Sequence, residues 1–587
     1  RPGPAIHAMV FCGCVGTIPR NRITKAAQPG DHIVLIGGRT GRDGIHGATF
    51  SSAELTDAHA DEFSHAVQIG NAITEKRMLD ALMRARDEAG DCLYSAVTDC
   101  GAGGLSSAVG EMAEQIGGVV ALERVPLKYA GLRYDEIWIS EAQERMVFAV
   151  PSANLDRFLE ICAAEEVEAT IIGTFGTPAT GNSASNGPRL VLHYNDQVVG
   201  DLDLEFLHQG VPKSDRVAAW NAPASPRIAG SNADHPTPDK LLTDLRAQLA
   251  HQNTTAREWI IRQYDHEVQG GTLIKPFVGP GHGPADAAVL RPRPDSNRGV
   301  ALACGLAPQL SDVDPYWMAI AAIDEALRNV VCVGGDPRQT ALLDNFCWGR
   351  SDDPQQLGGL VRACQACYDG ARAFGAPFIS GKDSLNNEFA LDASDVDTLL
   401  QTLEKLVLAD ESEAEHWRTM LPTLRERIQR TGRLAIPATL LISAISLIAD
   451  VRRCVSSDLK HPDNALLLVG GFAMPEFSLP AAARVHSAVA DAIQSGLVRA
   501  CHDVSSGGWL TSVAEMAIGS PHGVDIETSS NAAPFDELCS GYVVEVENQL
   551  AATDMFNKAH VPVVLLGVVR PEPEFAINGK PLPVSEL

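Results

Sequence analysis

The chain has no run of about 18 apolar residues, so no segment of it reads as a membrane-spanning helix. Positive charge is scarce. Against 74 Asp and Glu stand 47 Lys and Arg, a formal net charge of −27 over 587 residues. That balance argues against a nucleic-acid phosphate surface as partner. An anionic substrate has to be met by local basic groups. Zinc-type cysteine spacing is missing too: among thirteen scattered cysteines, Cys364 and Cys367 form one C-x-x-C with no second pair. We read them as buried, reduced thiols on a helix of a cytoplasmic protein. The opening RPGPAIHAMV has neither an initiator Met nor a signal-peptide layout. What is present is an ordinary globular composition, 45% hydrophobic, with chain enough for about four domains.

The chain does contain itself twice. DCGAGGLSSAVGEMA (Asp99 to Ala113) and DVSSGGWLTSVAEMA (Asp503 to Ala517) share seven of fifteen positions. PAIHAMVFCGCVGTI from Pro4 faces PATLLISAISLIAD from Pro437, and KAAQPGDHIVLIGG ending at Gly38 faces DLKHPDNALLLVGG ending at Gly471, both at an offset of 433. SEAQERMVFAV around Glu141 then faces DELCSGYVVEV around Glu537. Ordered blocks with shortening connections indicate a tandem duplication. A long segment from Arg227 precedes Pro437, whereas three residues precede Pro4. The expected architecture is therefore (A)-B-A-B in a mixed α+β and α/β fold, with the first A domain reduced to its last strand. The expected boundaries are 1–29 for that remnant, 30–226 for the first B domain, 227–455 for the second A domain and 456–587 for the second B domain. A Pro/Ser-rich linker runs from Ala222 to Asp239, and the charged stretch 391–432 reads as a helical insertion.

HIVLIGG and ALLLVGG read as buried strands ending in glycine turns. SSAVGEMAEQI and LTSVAEMAIG read as helices that follow paired glycines, and DPYWMAIAAIDEALRNVVCVGG as a helix with a glycine stop. A strand, an Asp, a glycine-rich turn and a helix start together suit a phosphate with its Mg²⁺, since backbone N–H groups approach the anion and the Asp ligates the cation. GPGHGPADAAVL adds a Gly/Pro turn before Asp286, and DEALRN sets Glu325 and Asn329 four apart on one helix face. With Asp503 these oxygen donors form a candidate hard-cation site. In GGRTGRDGIHGATFSS, Arg39 and Arg42 are candidates to hold a phosphate monoester through forked donors, with His46 beside them.

Together with TDCGAGGLSSAVGEMA, ISEAQERM, VGGDPRQTALLDNFCWG, SGKDSLNNEF and CHDVSSGGW, that loop resembles phosphoribosylformylglycinamidine synthase, the synthetase component of purine biosynthesis, within the wider aminoimidazole ribonucleotide (AIR) synthetase-like superfamily. The resemblance covers essentially the whole chain outside the insertion. It implies tandem AIR-synthetase-like A-B repeats. It also implies a ligase that uses ATP and Mg²⁺ to convert formylglycinamide ribonucleotide and ammonia to the amidine, the ammonia coming from a glutaminase subunit or domain. No Cys-His-Glu glutaminase pattern is visible in this chain. By position, the resemblance implies substrate contacts at Gln68, Glu141, Ala142, Gln143 and Ser384, where Ala142 replaces a Ser and loses its hydroxyl. It implies a Mg²⁺ ligand at Asp99 and nucleotide contacts at Asp344 and Gly381. Lys382 stands where the short form of the enzyme has a metal-ligating Asn; an ammonium contacts phosphate instead, as in the long form. That form's second, non-catalytic site implies bound ADP at Ala285, Asp286, Glu325, Asn329, Asp503 and Ser505.

In the family the catalytic His lies in the first A domain, so the resemblance assigns no catalytic residue here and the expectation is that these residues alone are inactive. The alternative is a non-catalytic nucleotide-binding scaffold or a decayed paralogue. Gln68, Asp99, Glu141 and Gln143 favour the enzyme, because their roles exist only alongside a first A domain.

Overall fold

The computed structural model of the chain describes residues 13–45, 70–176, 187–221, 237–251, 253–390, 425, 428, 432–473, 477–528 and 533–587. It comprises two compact units, chiefly Thr17–Asp215 and Arg216–Asn387 with Ala435–Leu587. Among the described residues no helix is long and apolar enough to cross a membrane.

The first unit is built on β1 (His32–Gly37), β2 (Ala96–Asp99), β3 (Gly118–Ala121), β4 (Arg145–Val150), β5 (Ala169–Phe175), β6 (Arg189–Tyr194) and β7 (Gln197–Asp203). They form one sheet in the order β2-β4-β1-β5-β3-β6-β7, with β3 and β6 parallel. The apolar run of β1 follows from burial on both faces. Val34 and Ile36 pack with Phe148 under helices α1 (Ala72–Arg86) and α4 (Leu155–Ala164). Ile33 and Leu35 pack with Val147 under α2 (Leu105–Ala113) and α3 (Tyr134–Ile139). A short α5 (Leu204–Gln209) follows β7.

In the second unit, α6 (Pro238–Leu249) leads to a six-stranded sheet of β8 (Thr272–Ile274), β9 (Ala288–Leu290), β10 (Gly299–Leu306), β11 (Thr340–Cys347), β12 (Phe378–Ser384) and β13 (Thr439–Ile448). Its order is β12-β11-β13-β10-β9-β8. Helices α7 (Pro315–Cys332) and α8 (Pro354–Phe374) pack on it. Asp314 caps α7 by accepting from Tyr316 N–H, and Pro315 takes the first turn. The unit is completed by a second seven-stranded sheet of β14 (Ala465–Phe472), β15 (Val498–Asp503), β16 (Gly523–Ile526), β17 (Cys539–Val546), β18 (Val563–Arg570), β19 (Glu574–Ile577) and β20 (Lys580–Pro583). Its helices are α9 (Leu479–Gln494), α10 (Gly508–Ile518) and α11 (Gln549–Lys558).

The order of that sheet, β15-β17-β14-β18-β16-β19-β20, is the first sheet's order strand for strand. The lone parallel pair recurs as β16–β19. The register slip of β1 against β5 at Ile33/Val34 recurs in β14 against β18 at Leu466/Leu467, again 433 residues on. Even an unusual backbone repeats: Glu144 and Ser540, each just before the fourth strand's equivalent partner position, have φ of 53° and 51°. The duplication seen in the sequence is thus a duplication of fold.

Some expectations are corrected. The linker to Asp239 ends earlier, because Thr237 caps α6 from Lys240 N–H and Pro238 starts it. Leu241, Leu242 and Leu245 of α6 enter the core of the second seven-stranded sheet. Cys367 is buried on α8 as expected, but Cys364 is exposed on the same helix. Most of the expected strand after Pro4 and nearly all of the insertion 391–432 lie outside the described residues.

Candidate functional site

The repeated turns are geometrically alike and electrostatically opposite. Asp99 and Asp503 each end the edge strand of their sheet. The paired glycines that follow have positive φ, 78° and 57° at Gly103 and Gly104, 91° and 70° at Gly507 and Gly508. Space demands glycine as strongly as conformation: a Cβ at Gly104 would collide with the Ser140 carbonyl, and one at Gly508 with the backbone of Pro534 and Phe535. The Asp99 carboxylate is exposed, and among the described residues it has no hydrogen bond or ion pair. Asp503 is 4% exposed and sits inside a charge cluster.

That cluster lies where α7 meets the start of β9, the end of β15 and the edge of β17. Asp286, two residues before β9 rather than within it, accepts from His502 Nδ1 at 2.7 Å and from the Asp503 N–H at 3.1 Å. The other ring nitrogen of His502 meets Glu515 Oε2 at 3.1 Å. Arg328 of α7 pairs with Asp503 at 3.2 Å and with Asp324 at 2.5 Å, with 3% of its side chain exposed. Ser505 Oγ reaches Asp503 Oδ1 at 3.3 Å. Glu325 accepts from Leu306 N–H at 2.7 Å, and Asn329 Nδ2 donates to the Cys304 carbonyl at 3.0 Å. Asp324 is in turn held by His486 Nε2 at 3.0 Å and by the Ser540 hydroxyl.

Burial pushes the Asp503 carboxyl up to about 6, Arg328 opposing and Asp286 adding to the rise. Burial likewise pushes Glu325 up to about 8, with Arg328 opposing and Asp503 adding. Burial works against Asp324 as well, yet Arg328, His486 and Ser540 hold it below the usual carboxylate range. Asp286, His502 and Asp503 bring ligand atoms within 4.8 Å of one another. Carboxylates outnumber the single guanidinium, and the donors are mostly hard oxygens, a set that fits a divalent cation. Sequence reasoning found Asp286, Glu325, Asn329, Asp503 and Ser505 but missed Arg328, His502, Glu515, Asp324 and His486. The signal for two of them was present. Arg328 follows Asp324 at i+4 in the quoted DEALRN, and His502 replaces Thr98 of the first repeat.

Elsewhere in the same unit, Asp344 and Gly381 are register partners on the parallel strands β11 and β12, as are Asn345 and Lys382. A Cβ at Gly381 would collide with the Asp344 carboxylate, whose pKa burial raises. Lys382 is exposed, and Ser384 is buried at the strand end. The glycines of GPGHGP serve packing: Cβ atoms at Gly279, Gly281 and Gly283 would all strike the end of α10 at Ile518 and Gly519.

In the first unit, Arg42 forks onto Glu136 at 2.8 and 3.3 Å and reaches the Gly131 carbonyl at 2.9 Å. Arg39 forks onto Glu168 at 2.8 and 3.2 Å. Both are solvent-exposed pairs. Glu141 Oε1 accepts from Gly103 N–H at 3.0 Å, which ties the ISEAQERM turn to the Asp99 turn. Gln143 Nε2 donates to the Glu141 carbonyl at 2.9 Å. Ala142 is fully buried, so its methyl offers no contact to a ligand in this arrangement. Arg145 is buried beneath the turn, and burial lowers its pKa. His46 and Gln68 lie outside the described residues.

Comparison with known proteins adds the following. The model of the AIR synthase related protein C-terminal domain matches residues 28–180 and again 473–580, and that of the N-terminal domain matches 284–396. Phosphoribosylformylglycinamidine synthase subunit PurL of Thermoplasma acidophilum is 30% identical over 92% of this chain and 66% of its own length. The same subunit of Methanothermobacter thermautotrophicus is 30% identical over 96% of this chain and 73% of its own length. The chain thus spans about two thirds to three quarters of these relatives. Among solved structures, Thermotoga maritima PurL complexed with FGAR aligns at a TM-score of 0.64 and 22% identity, covering 93% of this chain and 73% of that one. T. maritima PurL complexed with ADP aligns at 0.60 over 93% and 72%, and PurLQS from the same organism at 0.63 over the same shares. At that identity these structures show the fold.

Proposed function

The chain belongs to the phosphoribosylformylglycinamidine synthase subunit PurL family, and from that premise we propose that it serves the ATP-dependent amidation of formylglycinamide ribonucleotide in purine biosynthesis. The observation that carries the proposal is the division of labour between the two matched turns. One Asp is open and unpartnered among the described residues. The other is buried in a cluster with an excess of carboxylates. We assign Asp99 to the reacting nucleotide and Asp503 to an auxiliary, structural nucleotide site.

Asp286, Glu325, Asn329 and Asp503 would hold a Mg²⁺ ion there, with Ala285 and Ser505 beside the nucleotide. A bound Mg²⁺ supplies neutralisation of phosphate oxygens. Arg328 holds Asp503, and His502 holds Asp286, by direct contacts. Within the first unit we assign Glu141 and Gln143 to the substrate amide and Arg42 and Arg39 to its phosphate; within the second unit, taken by itself, we assign Asp344, Gly381 and Lys382 to a nucleotide. Ammonia comes from a glutaminase partner, as the family resemblance implies. The boundaries 1–29, 30–226, 227–455 and 456–587 remain our proposed domain division.

The direct test is calorimetric titration of the full chain with formylglycinamide ribonucleotide. Binding supports the assignment; its absence, with nucleotide still bound, favours the scaffold reading. Arg42→Ala weakens that binding by roughly tenfold to a hundredfold, the loss expected of a forked charged contact. Arg42 would trade Glu136 for the substrate phosphate, so Glu136→Gln leaves affinity intact or raises it. Unchanged affinity in both Arg42→Ala and Arg39→Ala would reduce the loop to a solvated surface.

A further inference from the structure

The two seven-stranded sheets differ at one position that neither the shared fold nor the charge cluster explains. Register sets Arg145 opposite Gly37 in the first sheet and Gly541 opposite Gly470 in the second. Gly37 and Gly470 are equivalents at the repeat offset of 433. A buried arginine in one copy therefore occupies the place of a glycine in the other, and the strand end folds without it.

Arg145 is 2% exposed, and among the described residues it forms no ion pair. Burying a charge without a counter-ion is costly unless its donors are satisfied. Here they are satisfied by two loops. Nε donates to the Ala142 carbonyl at 2.7 Å, Nη2 to the Ser140 carbonyl at 2.5 Å and Nη1 to Thr40 Oγ1 at 2.8 Å. Thr40 stands between Arg39 and Arg42, and Ser140–Ala142 frames Glu141. Lighter bonds join the same segments: Ser140 Oγ to the Gly41 carbonyl at 2.7 Å, and Glu141 N–H to the Asp43 carbonyl at 2.9 Å.

We propose that Arg145 is the positioning residue of the substrate site: it clamps the arginine-bearing loop to the Glu141–Gln143 turn and sets a fixed positive charge beneath the place of an anionic ribonucleotide. The identity of that ligand rests on the function proposed above; the clamp does not. A planar fork with several donors suits the task, because one rigid group reaches three acceptors on two chains. An ammonium cannot span them in the same way.

The test uses the full chain and two readouts. Amide hydrogen exchange is followed at residues 38–45 and 139–145, and formylglycinamide ribonucleotide affinity is measured by calorimetry. In Arg145→Met both segments exchange faster, affinity falls about tenfold or more, and the thermal shift given by Mg–ADP is unchanged. Arg145→Lys recovers part of the affinity. Arg145→Gly, which installs what the second copy tolerates, regains it when millimolar guanidinium is added. Wild-type exchange in Arg145→Met and Arg145→Gly overturns the clamp whatever the ligand does. Faster exchange with unaltered affinity overturns the substrate role. If the wild-type chain binds no formylglycinamide ribonucleotide, the functional assignment fails and so does the substrate role built on it, while the exchange data still decide the clamp.

Discussion

Asp503→Asn abolishes the stabilisation that Mg–ADP gives this chain, and Asp99→Asn leaves it in place. A ligand that binds only the folded state stabilises by about 2.7 kcal/mol at a hundredfold excess over Kd, a shift easily read in thermal denaturation with and without nucleotide. Asp503 supplies a buried carboxylate among Asp286, Glu325 and Arg328; Asn keeps the size but not the charge. Reading the difference between nucleotide-free and nucleotide-bound midpoints removes any change in baseline stability. The effect has a pH sign. Folded-state values of about 6 for Asp503 and about 8 for Glu325 exceed the ordinary carboxyl values of about 4. The folded protein therefore holds protons that the unfolded chain releases, and metal-free stability declines as pH rises from about 4 to about 8. Protons compete with the cation over the same interval, so the Mg–ADP shift grows from pH 6 to pH 8. No nucleotide released from denatured protein, together with no shift in the wild type, would leave Asp503 a relic of duplication.

Arg328→Met destabilises the second unit more than any surface substitution. It leaves Asp324 and Asp503 buried, and removing one partner of such a network costs about 3–5 kcal/mol. Asp324 has a depressed folded pKa, so its contribution is present above the unfolded carboxyl value and is lost as pH falls through the folded one. Arg328→Met removes the guanidinium's share of that contribution at neutral pH, while His486 and Ser540 still hold Asp324. Replacing Asp324 by Asn in the same molecule restores part of the loss, because one orphaned charge goes. Chemical denaturation of the single and double variants measures both. A single variant within 1 kcal/mol of wild type would mean that solvent already screens the site.

Asp99 and Asp503 were legible because a cap needs no Asp beside its glycines, and the chain wrote the pattern twice. The strand order was legible only as a repeat: spacing matched the halves, but which strands are neighbours depends on pairings between residues distant in the chain, such as His32 with Thr174. The partners of Asp503 stayed hidden for a like reason. Arg328 on a helix carrying Glu325 and Asn329 looks like an ordinary charged position until packing buries that face. Glu136 and Glu168 lie 94 and 129 residues from the arginines they hold, and nothing local announces them. The start of α6 was legible in Thr237 and Pro238, yet the Pro, Ser and Gly residues before it make the whole stretch to Asp239 read as linker.

The contact between the GPGHGP loop and the end of α10 is backbone against backbone, and it dictates how this segment can diverge. In a saturation mutagenesis screen of residues 279–283, tolerance should alternate. Positions 279, 281 and 283 would reject every substitution, alanine included, since even one methyl strikes Ile518 or Gly519. His282 already holds a positive φ of 58° with its side chain in solvent, so Asn or Gly there should be accepted. Such a period of two would resemble the signature of a half-buried strand, yet it would arise from a tight turn whose backbone, and not its side chains, makes the contact.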